Sequence, residues 1–188
     1  MVPWHPIILL AAAAAVALLP TGTFGLDPAS SQVEFFMRDN RGGFTGAARD
    51  IDSTVTVREQ GESFVAEVEA RIDARTVTTG IGLRDTQMRR DFLLTDRFPL
   101  ITFRGTVVPL ERPGGLPFRA LMRGALTIKD TTREIEVPLR VTALRDTYLA
   151  EGQVTIRLSE YGIPVPRFLI FVAEDPIQIT LKVRLTGK

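Results

Sequence analysis

Cysteine is missing from this chain and histidine nearly so. There is no cysteine, and the one histidine is His5, close to the N-terminus. Without cysteine the protein has no disulfide, no thiolate nucleophile and no thiolate metal ligand. Beyond residue 5 there is no imidazole either, which removes serine–histidine catalysis, the commonest general base and histidine-ligated metals. The composition therefore argues against an enzyme and against a metal protein.

An excess of charge of one sign is also lacking. The chain has 23 lysine and arginine residues and 22 aspartate and glutamate residues, a formal net charge of +1. A nucleic-acid-binding domain usually carries a basic face or stripe, so this balance argues against nucleic acid as a partner. The length suits one domain, and without disulfides an apolar core must hold it together.

The N-terminal segment lacks charge altogether. The first 25 residues contain no aspartate, glutamate, lysine or arginine, and residues 7–19 form an uninterrupted apolar run. This run is shorter than the roughly 20 residues that span a membrane and matches the apolar part of a secretory signal peptide. Small residues follow it, so the mature chain is expected to begin between residues 24 and 26. We predict a signal peptide over 1–25, a domain over 26–188 and a periplasmic or secreted location, with an uncleaved membrane anchor as the alternative.

From residue 32 onward, apolar and polar residues alternate with a period of two. In residues 177–186, five aliphatic residues alternate with five polar ones. This pattern is typical of antiparallel strands with one solvent-exposed face, and turn-forming residues separate the runs. Eight strands are predicted, near residues 32–38, 44–57, 63–74, 100–109, 117–129, 132–145, 147–158 and 176–187.

The short connections favour an all-β fold in which these eight strands run up and down, each antiparallel to the next. Eight such strands close readily into a lipocalin-like barrel with room for one ligand. A two-sheet sandwich would show the same alternation. The barrel is preferred because the connections look local, without Greek-key crossings.

Two segments interrupt the alternation. Residues 80–94 have helix-compatible spacing, with Leu83, Met88 and Phe92 able to point the same way. This spacing predicts a short helical lid across one end of the barrel. Residues 159–175 form a second interruption, apolar and punctuated by proline, which is expected near the barrel mouth.

The order of motifs along the chain resembles that of the YceI-like family. The most specific block is Thr79-Gly80, Arg84-Asp85, Asp91-Phe92 and Phe98-Pro99-x-Ile101-x-Phe103, and weaker matches are Leu26-Asp27-Pro28, Gly124-x-Leu126-Thr127-Ile128 and Glu160-Tyr161-Gly162-Ile163. Members of that family are small bacterial β-barrels that hold a polyisoprenoid chain. The resemblance implies a binding protein with no catalytic residue, whose ligand is a polyisoprenoid or a quinone-like lipid. The lack of cysteine, and of histidine beyond residue 5, predicts that it holds no metal and no cofactor.

The inward face of such a barrel supplies the candidate ligand contacts. Small inward residues, such as Gly105, Gly124 and Ala150, leave space that an all-leucine lining would fill. Each CH₂ group of a lipid buried there contributes about 0.8 kcal/mol, so no charged anchor is needed. The predicted ligand-binding residues are Phe35, Ala66, Val68, Ala70, Leu83, Met88, Phe92, Phe103, Gly152, Val154, Ile179 and Leu181.

Arg84 and Asp85 in the lid have two interpretations. Together with Arg89, Arg90 and Asp91 they form a solvated helix face, whose exposed ion pairs add little stability. Alternatively, they fix the lid over the barrel mouth or meet a ligand head group. The expected partners are an apolar lipid and, during exchange, a membrane surface. The alternative for the whole chain is a solid-core barrel that serves as an interaction or structural module without a ligand, and nothing in the sequence indicates an oligomeric state.

Overall fold

The computed structural model describes residues 20–111, 115–144, 147–168 and 171–187. Residues 1–19, most of the predicted signal peptide, lie outside these ranges. The described residues form eleven strands: β1 Gly22–Leu26, β2 Gln32–Asp39, β3 Phe44–Ala48, β4 Ile51–Gln60, β5 Ser63–Asp73, β6 Leu100–Pro109, β7 Phe118–Ile128, β8 Thr131–Leu144, β9 Thr147–Arg157, β10 Arg167–Phe168 and β11 Phe171–Gly187.

The strands close into a barrel. They pair in chain order from β4 to β9, β9 pairs with β11, and β11 returns to both β1 and β2. β1 and β2 lie end to end along one edge of β11. On their other side, β1 pairs with β4 and β2 pairs with β3. β1 and β2 together therefore act as one strand of the wall, and β3 and β4 together act as the next. The result is a closed, eight-stranded, up-and-down antiparallel barrel, which confirms the predicted fold.

The first wall strand is interrupted between β1 and β2, where Arg184 of β11 bridges the gap. The Asp27 amide donates to the Arg184 carbonyl oxygen over 2.9 Å. The Ser31 hydroxyl accepts from the Arg184 amide at 3.0 Å and lies 3.4 Å from its carbonyl oxygen. The Ser31 side chain thus replaces one backbone partner of β11. The amide and carbonyl groups of Arg184 therefore stay hydrogen-bonded where β1 and β2 are interrupted.

β1 lies where the alternation predicted no strand. It crosses the predicted boundary between residues 25 and 26, in a stretch interpreted as the end of a leader. Its Phe24 is only 8% exposed and belongs to the core, with Val55 and Gly187 as its cross-strand neighbours. The folded wall therefore begins at Gly22, whereas the domain boundary itself stays a prediction.

Inward-facing residues form two buried clusters, one toward each end of the barrel. The first contains Phe24, Val55, Val57, Phe64, Ala66, Val107, Phe118, Ala120, Val137, Leu139 and Val141. The second, which we call the rim cluster, contains Met37, Ile128, Ile156, Leu158, Tyr161, Ile163, Ala173 and Ile177. Strand alternation places the strand residues of both clusters inside the wall, whereas Leu158, Tyr161 and Ile163 of the rim cluster belong to the segment after β9.

Gly105 and Gly124 are direct cross-strand neighbours on β6 and β7. A Cβ on Gly105 would collide with the Arg123 carbonyl oxygen, and one on Gly124 would collide with the Arg104 carbonyl oxygen. The two glycines therefore allow a close approach of two backbones. They are absent from the cavity wall, which corrects the prediction that they leave space for a ligand.

Residues 74–99 join β5 to β6 and form the lid. They contain a 3₁₀ turn at Ala74–Thr76, the helix α1 at Gly82–Gln87 and a π-helical turn at Met88–Leu93. The helical lid predicted near residues 80–94 is thus confirmed. Within the described ranges, no helix is long and apolar enough to cross a membrane.

Candidate ligand-binding cavity

A cavity of about 540 Å³ lies inside the barrel. This volume falls within the roughly 300–1,000 Å³ that is usual for small-molecule sites. The wall consists mostly of every second residue of the strands, as expected for their inward faces. Its charged residues are Glu34, Asp39 and Arg84, which lie on β2 or in the lid. The rest of the wall is almost wholly apolar.

Several inward-facing residues in the middle of the barrel keep accessible surface. Val68, Met122, Val154 and Leu181 line the cavity but are only partly buried. In a solid core such side chains would be close-packed on all sides. Phe64, near one end of the same wall, is 2% exposed. The barrel is therefore hollow in its middle and packed at that end, which disfavours the solid-core alternative.

Eleven of the twelve predicted ligand-binding residues line the cavity: Phe35, Ala66, Val68, Ala70, Leu83, Met88, Phe92, Phe103, Val154, Ile179 and Leu181. Gly152 does not, which corrects the prediction for that residue. A Cβ there would lie 2.6 Å from Leu139 Cδ2 and 2.7 Å from the Pro138 carbonyl oxygen. Its missing side chain makes room for Leu139 rather than for a ligand. Contact between the eleven residues and a ligand stays a prediction.

Asp85 lies inside the lid and does not line the cavity. Its carboxylate accepts bonds from the Thr78 hydroxyl at 2.6 Å and from the Thr79 amide and hydroxyl at 2.7 Å each. The residue is 4% exposed. Burial alone would raise the pKa of the Asp85 carboxyl, but these bonds and the nearby charge of Arg89 outweigh burial and hold the pKa below its usual range.

This carboxylate is connected to the barrel wall through Thr78. β3 pairs with β2 along one edge, and at its other edge Ala47 exchanges two backbone hydrogen bonds with Thr78, at 2.8 and 3.0 Å. Thr78 therefore holds both the edge of β3 and the carboxylate of Asp85. Of the two interpretations of Asp85, the structure matches fixation of the lid.

The lid arginines differ from one another. Arg84 lines the cavity and places its guanidinium 3.9 Å from the centre of the Phe44 ring, a cation–π contact. Arg89 donates to the carbonyl oxygens of Asp85 and Arg75 at 3.1 and 2.8 Å. Arg90 forms an exposed ion pair with the neighbouring Asp91, which matches the solvated-face interpretation. Only Arg84 of these three arginines is placed to meet a ligand head group, and that role stays a prediction.

The mouth of the cavity lies beside the lid. Among the residues that line the cavity, Ile81, Leu83 and Glu34 are exposed. Leu83 is 72% exposed and Ile81 51%. Ile81 and Leu83 flank the start of α1, so the cavity wall reaches the surface at the lid. Exposed aliphatic side chains of this size beside an apolar cavity are a feature of binding sites.

The loop after β9 closes the same end of the barrel from another side. Its Tyr161 is 1% exposed and belongs to the rim cluster. Burial, followed by the charge of Glu160, raises the pKa of the Tyr161 hydroxyl. Lys129 donates to the Gly162 carbonyl oxygen at 2.9 Å, and Arg133 donates to the Glu160 carbonyl oxygen at 3.0 Å. The proline-punctuated segment thus starts at the lid end, as the sequence predicted.

Sequence reasoning missed several residues of the wall. Phe24 was assigned to the leader, and Ser53 was not singled out although it alternates with Val55 and Val57 on β4. Ser53 is 6% exposed and is a hydroxyl in an apolar stretch of the wall. Extending the period-two pattern across residues 51–57 would have found it.

The described residues contain no group of histidine, cysteine, aspartate and glutamate side chains that could hold a metal ion. The cavity wall likewise has no histidine or cysteine. Its chemistry is that of an almost wholly apolar compartment, with charged residues on β2 and in the lid.

Comparison with known proteins places this geometry among similar barrels. A family model described as YceI-like domain matches residues 24–185. BcnA from Burkholderia cenocepacia has a TM-score of 0.72 at 19% identity, over 85% of this chain and 98% of that one. A polyisoprenoid binding domain from Saccharophagus degradans, implicated in plant cell wall breakdown, has a TM-score of 0.71 at 15% identity, over 88% of this chain and 98% of that one. The Campylobacter jejuni YCEI protein has a TM-score of 0.61 at 17% identity, over 76% and 84%. A search of curated protein sequences gives no match.

Proposed function

The chain belongs to the YceI-like domain family, and from this premise we propose that it binds a polyisoprenoid or similar long apolar lipid inside its barrel. It acts as a carrier or reservoir rather than as a catalyst. The similar domain from Saccharophagus degradans is described as polyisoprenoid-binding, which supports this ligand class.

The observation that carries the proposal is the hollow, apolar barrel. A chain of several isoprene units buried there gains more than about 10 kcal/mol gross from CH₂ burial, before the entropy of ordering the chain is subtracted. Of the charged wall residues, Asp39 lies at the lid-side end of β2, opposite Ala173, and Arg84 lies in the lid. The apolar tail therefore lies within the barrel, and a polar head group stays at the mouth, within reach of Arg84.

The first experiment asks whether a lipid is present and where it sits. Protein purified from membrane-rich cells is extracted with organic solvent, and the extract is analysed by mass spectrometry. Ala70 lines the cavity in the lid-side half of β5, so Ala70→Phe should block the lumen there and lower the bound lipid at least tenfold. Val65→Phe, on the outward face of the same strand, is the matched control and should keep the lipid. Equal lipid in both variants would overturn the assignment to the barrel interior.

Export is the second part of the proposal. The uncharged N-terminus and the apolar run at residues 7–19 support a secretory signal peptide. Cell fractionation followed by intact-mass measurement tests this. A shortened chain in the periplasm or medium is expected, and a full-length chain in the membrane fraction would favour an anchor instead.

A membrane surface is the proposed place of lipid exchange. Ile81 and Leu83 are exposed at the mouth, and aliphatic residues in such a position can enter the outer part of a bilayer. Leu83→Ser should slow the transfer of lipid between vesicles and protein. Leu110→Ser, which changes an exposed leucine outside the lid, is the control and should leave the rate unchanged. Equal slowing in both variants would argue against contact through the lid.

A further inference from the structure

Four aromatic residues close the end of the cavity that lies opposite the lid. Phe24 and Tyr148 meet edge to face with ring centres 5.6 Å apart, and Phe64 and Phe118 do the same at 5.6 Å. All four line the cavity. We call these four residues the floor.

Strand register places the floor far from the lid. Phe64 pairs with Glu59 beside the β4–β5 turn, and Phe118 is the first residue of β7, paired with Val141. The lid begins directly after Asp73, at the opposite end of β5. A strand rises about 3.3 Å per residue, so the length of β5 separates the floor from the lid.

The three phenylalanines of the floor are packed as a protein core is packed, and Tyr148 is partly buried beside them. Phe64 is 2% exposed, and Phe118 and Phe24 are 7% and 8% exposed. Edge-to-face ring pairs hold a preferred geometry and add about 0.5–1.5 kcal/mol to area burial. Among the described residues of the cavity wall, none at this end is charged. A lipid that enters at the lid must stop against these rings.

We infer that the aromatic floor is a ruler that limits the length of the chain the barrel accepts. This inference rests on the proposed function and adds a chain-length preference to it. Each isoprene unit that fits between the mouth and the floor adds buried surface and tightens binding. A unit beyond that length finds no space in the barrel and stays in water.

The test measures affinity for a series of all-trans prenols of two to nine isoprene units, by displacement of a fluorescent apolar probe. For the wild type, affinity should rise with each unit and then level off or fall at one length. Phe64→Leu and Phe118→Leu each remove a ring from the floor and should move that limit to a longer prenol. Ala66→Leu, one inward position above Phe64 on β5, should move it to a shorter one.

Phe103→Leu is the matched control. Phe103 lines the same cavity but pairs with Ala70 in the lid-side half of β5 and β6. Loss of this ring widens the cavity without lengthening it, so the limiting length should not change. The melting temperature of each variant verifies folding, and the two floor variants and Ala66→Leu provide three independent tests if one of them does not fold.

The outcomes separate the two proposals. A limit that moves with the floor variants and stays in the control supports the ruler. A limit that is the same in every folded variant, or a wild type whose affinity rises up to the longest prenol, overturns it while leaving lipid binding intact. A wild type that binds no prenol at all overturns the proposed function and the ruler with it.

Discussion

The two ends of the barrel are built in different ways. The floor is made of regular strands whose rings pack against one another, whereas the lid is an irregular segment held by a buried carboxylate and by one backbone bridge to β3. Phe64 at the floor is 2% exposed, while Leu83 at the lid is 72% exposed. One end of the barrel is thus a packed hydrophobic core, and the other end is an entrance with apolar residues exposed to water.

This difference assigns the two ends different energetic roles. Core packing at the floor contributes to the stability of the whole barrel, because rings buried there hold several strands at once. The lid is held by a few polar contacts and by apolar side chains such as Phe92 and Leu93 that pack against the rim cluster. Irregular segments of this kind open locally before a protein unfolds globally. A stable floor and a lid that opens locally would allow the protein to admit a lipid without unfolding.

The largest effect should come from the floor. Phe24→Ala is expected to lower the free energy of unfolding by about 3–5 kcal/mol, the usual loss for a buried phenylalanine. Leu83→Ala in the lid should change it by less than about 0.5 kcal/mol, since the side chain is exposed. Urea unfolding of both variants measures the contrast. Similar losses in the two would remove the distinction between the ends.

A change in the lid should have a smaller and more local effect. Asp85→Ala leaves the hydroxyl of Thr78 and the amide and hydroxyl of Thr79 without their acceptor, a loss of roughly 2–3 kcal/mol. Hydrogen exchange should accelerate in residues 74–99 while amides of the floor strands keep their protection. Equal acceleration at both ends would mean that lid and floor unfold together.

Acid should weaken the lid through the same residue. The pKa of Asp85 is lower in the folded protein than in the unfolded chain, so its ionised form stabilises the fold above the unfolded pKa. That contribution is lost as the pH falls below about 4 and through the folded pKa.

Asp85→Asn isolates this effect from other carboxylates with lowered pKa values, such as Asp175, which Ser159 holds through two hydrogen bonds. The melting-temperature difference between wild type and Asp85→Asn should be larger at pH 6 than at pH 3. A difference that does not change with pH would remove Asp85 as the cause.

The smallest effect is expected between the two ends, at Ser53. Replacing its hydroxyl by methyl groups in Ser53→Val should tighten binding of a hydrocarbon tail by about 1 kcal/mol or less, because a polar group no longer faces the lipid. Probe displacement with a prenol measures this. Weaker binding in the variant would show instead that the hydroxyl bonds to an oxygen atom of the ligand.

Much of the fold could be predicted from residue alternation. The period of two in the sequence predicted the inward positions of β5, β9 and β11. The interruption of that period predicted the lid. Phe24 was missed because an apolar residue after a leader-like run carries no strand signal of its own. Gly152 and the pair Gly105 and Gly124 were misjudged because a pattern of small residues cannot distinguish an empty volume from one filled by a neighbouring backbone or side chain. The floor likewise depends on ring contacts between distant strands, which no local pattern contains.

The barrel wall is sealed by pairing of its first and last strands, with Phe24 opposite Gly187 and Val33 opposite Leu181. These partners lie far apart in the sequence, so the wall cannot close until β11 has been synthesised. Contacts of such long sequence separation form slowly, since a large loop must be ordered first. Until β11 is in place, β1, β2 and β9 each lack a neighbour, and unpaired strand edges of this kind are sites of aggregation. Deletion of residues 177–188 would therefore leave one edge of each of these three strands unpaired and should produce an insoluble chain rather than a smaller barrel.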